Sequence, residues 1–170
     1  MKKLYTLISA LLLVVLSSSA HPAAMSTYLE NKLIDHLFRA QTYTPPSVVC
    51  VALVTALPSA GSTGSSLAEP GDSHYARGQL NPSASAWFGT GGETSGASSG
   101  ASGMTSNNGT ITFGTSATSG YTVTGFVIVD SCTIHSGNVL FYAVLNNPKT
   151  VVSGDPVLSF GVQALAIQMR

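Results

Sequence analysis

The stretch of sequence that decides the fold is SVVCVALVTAL, residues 47–57. It is dense in β-branched residues, and apolar side chains occupy both its odd and its even positions. Because successive side chains of a strand point to opposite faces, this pattern predicts a strand that is covered on both faces. We therefore expect residues 47–57 to lie inside the domain, with other structure packed on each side of the strand.

Outward from this strand, short apolar segments alternate with residues typical of turns. A loop rich in Ser, Gly and Pro follows at residues 58–71, and Asn146-Asn147-Pro148 predicts a later turn. The further strands that we predict lie at residues 74–80, around Trp87-Phe88, and at 109–113, 121–129, 138–145, 156–160 and 163–169. About seven or eight short strands in a single domain, residues 25–170, predict a mainly β fold, a compact antiparallel β-sandwich or barrel.

One amphipathic helix is predicted before the buried strand, over residues 28–40. Thr27 followed by Glu30 has the form of a capping box, and apolar residues recur at helical spacing, namely Leu29, Leu33, Ile34, Leu37 and Phe38. Asp35 and Arg39 are spaced for an ion pair on the polar side. We expect the apolar stripe to dock on the domain. The alternative is an assembly face that binds a partner through Leu29, Leu33, Leu37 and Phe38.

Residues 89–108 consist almost entirely of Gly, Ser, Thr and Ala. This tract lacks the apolar content that packing requires, so we predict a long mobile loop. Within it, Gly96-Ala97-Ser98-Ser99-Gly100 matches the G-x-S-x-G pattern of serine hydrolases. That motif acts on a sharp turn between a strand and a helix, and the tract predicts neither, so we interpret the match as chance.

Composition excludes several classes of partner and reaction. The chain has 170 residues, 7 Lys+Arg, 7 Asp+Glu and only 8% charged residues, so it lacks the basic surface that nucleic-acid binding requires. No carboxylate pair is recognisable as an acid and base, and Cys132-x-x-His135 has no second pair of metal ligands at suitable spacing. We expect no catalytic residue, no cofactor and no metal.

Glu69, Asp72 and His74 lie close together in the sequence. Such a group can bind a cation or a sugar hydroxyl. We interpret these three side chains instead as solvated residues of a loop.

Two interpretations are open for Cys50 and Cys132. If their strands are neighbours, a disulfide between positions 82 apart would stabilise the fold by about 4–5 kcal/mol in the loop-entropy model. Export would permit that bond, whereas a reducing cytoplasm would disfavour it. We favour two separate small buried side chains and keep the disulfide as the alternative.

Residues 1–24 form a separate segment. Lys2 and Lys3 precede a short apolar run at 7–16, and Ser18-Ser19-Ala20 supplies the small residues of a cleavage site, which is typical of a secretory signal peptide. The run is too short for a stable membrane span. The alternative is an upstream start assigned in error, because Met25-Ser26-Thr27 is itself a plausible beginning.

Several short segments between Met25 and the C terminus follow one another in a characteristic order. They are 28–37, 49–54, Tyr75-Ala76-Arg77, Ile111-Thr112-Phe113, 125–130, 137–141 and 149–155. In this order and spacing the chain resembles the small phage proteins usually called tail fibre or tail-fibre-like proteins. The resemblance covers residues 25–170.

The resemblance implies a non-enzymatic virion structural protein that acts by self-assembly as a homo-oligomer. It would serve as a tail fibre, tail-tip or capsid decoration component on the tail or capsid surface, and its partners would be its own copies, other virion proteins and host surface glycan. Similar proteins begin at the equivalent of Met25, which argues against export. The alternative is a secreted carbohydrate-binding or adhesin module, with sugar rings stacked on Trp87, Tyr75, Tyr121 and Tyr142.

Overall fold

The computed structural model of the chain describes residues 14–15 and 23–169. The leader that we predicted at 1–24 therefore lies almost wholly outside the described residues. The described residues form a mainly β structure with one α-helix, which confirms the predicted fold class.

The helix α1 spans Thr27–Phe38, and a short 3-10 turn spans Gly64–Ser66. The strands in the described part of the chain are β1 Val14–Val15, β2 Ala24–Met25, β3 Cys50–Val54, β4 Gly78–Gln79, β5 Trp87–Phe88, β6 Met104–Asn107, β7 Ile111–Thr112, β8 Tyr121–Val129, β9 Val139–Val151, β10 Leu158–Phe160 and β11 Ala166–Gln168. Most of these strands are short, and β8 and β9 supply the long central hairpin.

One layer of the sandwich is a five-stranded antiparallel sheet in the order β2-β9-β8-β3-β4. Every residue of β3 is buried, as the apolar run at 47–57 predicts. Val51 and Leu53 belong to the main core, while Cys50, Ala52 and Val54 belong to a second apolar cluster that includes Leu67. The strand is thus covered on both faces, and Leu67 belongs to the 58–71 loop that covers one of them.

The other layer consists of two three-stranded sheets, β1-β10-β7 and β11-β6-β5. The fully buried Asn107 joins them. Its side-chain amide donates to the carbonyls of Gly109 and Gly161, both at 2.7 Å, and its Oδ1 accepts the Leu165 N–H at 2.9 Å. These bonds satisfy the backbone groups that the interrupted ladder leaves unpaired at the corner between the two sheets.

The two layers meet through aromatic side chains and one close backbone approach. Phe160 packs edge-to-face on Phe113 and on Phe126, with ring centroids 5.6 and 5.8 Å apart. At one edge, a β-carbon on Gly78 would lie 2.8 Å from the Thr112 carbonyl oxygen, so only glycine fits where β4 passes β7.

Three expectations about elements were wrong. The strand expected at 74–80 is reduced to β4, because the residues before it form the polar loop described below. The turn expected at Asn146-Asn147-Pro148 lies inside β9: Val123 pairs with Lys149 and Gly125 pairs with Val144, so the residues between form a bulge opposite Thr124. Residues Met104–Asn107 of the expected loop form β6, which pairs with β11 and β5.

The start of the helix also differs from the expectation. The N-cap is Ser26, whose hydroxyl accepts the Leu29 N–H at 3.2 Å, rather than Thr27 in a capping box with Glu30. Ser26 is held from both sides, since its N–H donates to the Leu140 carbonyl at 3.0 Å and its hydroxyl donates to the Val139 carbonyl. The register of β9 therefore decides where α1 begins.

Candidate functional site

The apolar stripe of α1 is only half docked. Leu29 is buried and Leu33 is half-buried, whereas Ile34, Leu37 and Phe38 are 51%, 67% and 82% exposed. Residues three and four positions apart share a helix face, so these last three side chains form one apolar patch, which we call the helix patch. Of the four residues expected to form an assembly face, only Leu37 and Phe38 lie in this patch, and assembly stays a prediction. The expected ion pair between Asp35 and Arg39 is confirmed, at 3.0 Å.

An apolar cavity of about 470 Å³ lies between α1 and the open end of the sandwich. Its walls include Leu29 and Leu33 of the helix, Trp87 of β5, Met104 of β6 and Ile167 of β11. The helix thus forms one wall of this cavity.

A second cavity of about 340 Å³, which we call the loop cleft, lies next to the first. Trp87, Ser98 and Thr105 line both cavities, whereas Phe88 and Glu93 line only the loop cleft. Trp87 is oriented by a hydrogen bond from its Nε1–H to the Leu80 carbonyl at 3.1 Å. The indole plane is therefore fixed, and one aromatic wall serves both cavities.

Glu93 organises the first half of the tract at 89–108. Its carboxylate accepts the Gly91 N–H at 2.9 Å, the Ser99 N–H at 2.8 Å and the Ser99 hydroxyl, and its carbonyl accepts the Gly89 N–H at 2.8 Å. The Ser99 hydroxyl and then these N–H groups lower the pKa of Glu93 to about 2. The loop is therefore folded around an ionised carboxylate, although its mobility in solution stays a prediction.

A buried ion pair occupies the loops on the far side of the five-stranded sheet. Arg77 donates to Glu69 through Nε at 3.0 Å and Nη2 at 2.6 Å, and both side chains are at most 1% exposed. The remaining donor, Nη1, binds the carbonyls of Ser131 and Ser136, both at 2.8 Å. Tyr75 donates to Glu69 at 3.1 Å, and burial followed by the Glu69 charge raises the pKa of its phenol.

Asp72 makes a second structural centre. It is buried, and it accepts the N–H groups of His74, Thr118 and Ser119 at 2.7, 2.7 and 2.6 Å and both hydroxyls of the last two residues. Burial raises the pKa of Asp72, but these bonds outweigh it and hold the pKa well below its usual value.

The expected description of Glu69, Asp72 and His74 as solvated loop residues is therefore wrong for the two carboxylates. Both bind groups of this chain, and neither side chain is free for a cation or a sugar. His74 is exposed, and its Nδ1 lies 3.0 Å from the Ser116 carbonyl. Sequence reasoning missed Arg77 as the partner of Glu69, although Tyr75-Ala76-Arg77 was among the segments that carried the resemblance.

Cys50 and Cys132 are joined in a disulfide, with Cα atoms 5.3 Å apart. This replaces the favoured interpretation of two separate side chains. The cause is register: Cys50 pairs with Val129 at the end of β8, so the turn after β8 brings Cys132 back over β3. Cys132 is thereby unavailable as a metal ligand beside His135.

The described residues show little that resembles a catalytic or metal centre. Ser98 of the G-x-S-x-G pattern lines the loop cleft and does not lie on a turn between a strand and a helix, and no histidine of the described residues lines that cleft. Residues 14–15 and 23–169 contain no cluster of three His, Cys, Asp or Glu side chains placed to hold a metal ion. The part of the chain that the structure describes also has no helix with the length and apolar character of a bilayer span.

Comparison with known proteins gives one family. Residues 24–168 match the family described as podophage GP4 fiber I protein gp80. No curated protein gives a significant match. The matched range includes α1, the helix patch, the loop cleft and the disulfide.

Proposed function

We propose a function from the premise that this chain belongs to the podophage GP4 fiber I protein family, a family of phage structural proteins found in the virion. The proposal is that the chain is a non-enzymatic fibre component that works by self-assembly. The word fiber in the family description supports a position on the tail, and the tail tip and the capsid surface are the alternative positions. Gold-labelled antibody on intact particles would locate it.

The helix patch is the observation that carries the self-assembly part of the proposal. Contiguous exposed apolar surface is uncommon on monomeric proteins, and where it occurs it commonly marks an interface. Three large apolar side chains, Ile34, Leu37 and Phe38, share one face of a helix whose start is anchored on β9. A rigid patch of this kind suits repeated contact with further copies of the chain, because symmetric assembly uses the same surface many times.

Light scattering coupled to size exclusion tests this proposal. We expect the wild-type chain to form a defined oligomer, and Leu37→Lys or Phe38→Lys to shift it toward monomer, because a charge in an apolar interface is left unpaired. Lys32→Glu is the matched control, since Lys32 is an exposed residue of the same helix that lies neither three nor four positions from any residue of the helix patch. A wild-type monomer at all concentrations, or an unchanged oligomer in both patch variants, would contradict self-assembly through α1.

Carbohydrate binding is a second candidate function, favoured by the loop cleft. Host surface glycan is the partner that a fibre protein on the outside of a particle would meet. The aromatic residues Tyr75, Tyr121 and Tyr142 give it little support: Tyr75 is buried and bonded to Glu69, and the other two are half-buried strand residues. Trp87 and Phe88 line the loop cleft together with the polar residues Glu93 and Ser98.

A further inference from the structure

We propose that the loop cleft is a binding site for a neutral saccharide, with Trp87 as the stacking wall and Glu93 as the main hydrogen-bond acceptor. The inference rests on the proposed function only for the source of the saccharide, which is the surface of the host cell. The site itself is argued from the shape, polarity and charge of the cleft.

The size and walls of the cleft fit a small ligand. Its volume of about 340 Å³ lies within the range of about 300–1,000 Å³ that is typical of ligand pockets. Trp87 and Phe88 are half-buried and both line the cleft, so aromatic residues form part of its wall. A pyranose ring has one face of C–H groups, which packs on an aromatic plane as other apolar surfaces do.

Polar groups of the cleft lining also converge. A β-carbon placed on Gly89 would contact Glu93 Oε2 and lie 3.0 Å from Ser98 Oγ, so the carboxylate and the hydroxyl border the same point. Glycine at 89 and 91 leaves the space that the carboxylate occupies. An ionised carboxylate has about four lone-pair positions, and the bonds from Gly91 and Ser99 leave one for an incoming O–H donor.

The charge of the cleft disfavours an anionic ligand. Among the described residues, Glu93 is the only charged one that lines the cleft, and its pKa of about 2 keeps it ionised at neutral pH. With no Lys, Arg or His among the lining residues, a phosphate, sulfate or uronic acid would meet an unpaired negative charge. Sugar hydroxyls donate to a carboxylate, and such charge-assisted bonds are stronger than neutral ones.

The chain supplies its own reporter for this site, because Trp87 is its only tryptophan. The full chain would be titrated with glucose, galactose, mannose, N-acetylglucosamine and disaccharides of these sugars, while the Trp87 emission is recorded. Glucuronic acid serves as the anionic counterpart of glucose. We expect a saturable change in emission with at least one neutral sugar and about tenfold weaker binding of its acidic counterpart.

Variants separate this site from general surface effects. Glu93→Gln should weaken binding about tenfold, since a bond to a charged acceptor is replaced by a neutral one, and Ser98→Ala should weaken it without unfolding the loop. Glu30→Gln on α1 is the matched control and should bind like wild type, because Glu30 is exposed and far from the cleft lining. Trp87→Leu should abolish binding. Because this variant lacks the fluorescent reporter, its binding would be measured by saturation-transfer NMR on the sugar protons.

Three results would overturn the inference. They are no saturable emission change with any neutral sugar, equal affinity for glucuronic acid, or unchanged affinity in both Glu93→Gln and Ser98→Ala. Oligomeric state measured on the same samples keeps the two proposals apart. An oligomer that binds no sugar overturns only the saccharide site, and a monomer that binds sugar overturns only the assembly role.

Discussion

At the scale of single residues, an acidic side chain in a Gly- and Ser-rich loop has three possible roles: it can be solvated, bind a ligand or support the backbone. Glu69 and Asp72 support the backbone, because Glu69 pairs with Arg77 and Asp72 accepts bonds from two separate loops. Glu93 supports its own loop and also lines a cavity. The position of an acidic residue in the sequence does not show which of these roles it has. The number of hydrogen-bond donors around its carboxylate does show it.

The first prediction concerns the buried ion pair. Arg77→Met should lower the free energy of unfolding by about 3–5 kcal/mol, because the Glu69 carboxylate stays buried without its counterion. The double variant with Glu69→Gln should lose less than the sum of the two single variants, since no unpaired charge remains. Urea unfolding measures both. Strict additivity, or wild-type stability of Arg77→Met, would show that the pair does not hold these loops.

The second prediction concerns acid. The pKa of Asp72 is lower in the folded chain than its unfolded value of about 3.9, so Asp72 stabilises the fold above that pH, and the contribution is lost as the pH falls below it. We expect the melting temperature of the wild type to fall between about pH 5 and pH 2. Asp72→Asn should melt lower at pH 7 and depend less on pH, with Asp35→Asn on the exposed helix as control. Parallel melting profiles for wild type and Asp72→Asn would contradict this role.

At the scale of elements, the tract at 89–108 divides into two parts with different roles. Residues 89–103 form a loop around Glu93, whereas Met104–Asn107 is the middle strand of a three-stranded sheet. The strand has few apolar side chains, so hydrophobic pattern did not reveal it. Its neighbours β5 and β11, and the buried Asn107, determine its conformation.

The third prediction separates these two parts by deletion. A β-carbon on Gly100 would lie 3.2 Å from Cγ2 of Thr90, so residues 91–99 can be removed by joining Thr90 to Gly100. We expect this variant to unfold cooperatively near the wild-type temperature, because deletions at exposed loop tips are tolerated. Removal of 104–107 should abolish the folded state. Circular dichroism melting measures both, and loss of folding on deletion of 91–99 would show that the loop belongs to the core.

At the scale of the whole molecule, contacts between distant segments hold the sandwich together. Strand β2 near the start of the domain pairs with β9, and β4 passes β7 at the edge where Gly78 is required. The disulfide adds a covalent link between positions 82 apart, from β3 to the turn after β8. Because the strand pairings join segments that are distant in the sequence, we expect the chain to unfold slowly, and slow unfolding is useful to a protein outside a cell.

The fourth prediction tests the covalent link. Cys132→Ala should lower the free energy of unfolding by up to about 4–5 kcal/mol, because the unfolded chain regains the entropy of the closed loop. The far-ultraviolet spectrum should stay unchanged, since the hydrogen-bonded ladder between β3 and β8 does not depend on the bond. Guanidinium unfolding with and without reductant gives the wild-type comparison. Equal stability in both conditions, with the bond verified by mass spectrometry, would contradict the prediction.

The candidate site was only partly predictable. Trp87 was among the aromatic residues considered for sugar stacking, and the helix residues Leu37 and Phe38 were part of the expected assembly face. The cleft around Glu93 was not expected, because its walls come from β5, β6 and a loop of low complexity. A glutamate among glycines and serines was the available signal, since such a residue can order a loop by accepting backbone N–H groups.

The sequence by itself determined the fold class, the helix and the burial of β3, because these depend on the local spacing of apolar side chains. It also determined the limits of β8, Tyr121–Val129, where apolar and β-branched residues are continuous. Only the tertiary structure decided that Cys50 bonds to Cys132, that Glu69 pairs with Arg77 and that Glu93 and Trp87 line one cleft. These contacts depend on which strands become neighbours. Strand pairing joins segments that are distant in the sequence, so no local pattern of side chains determines it.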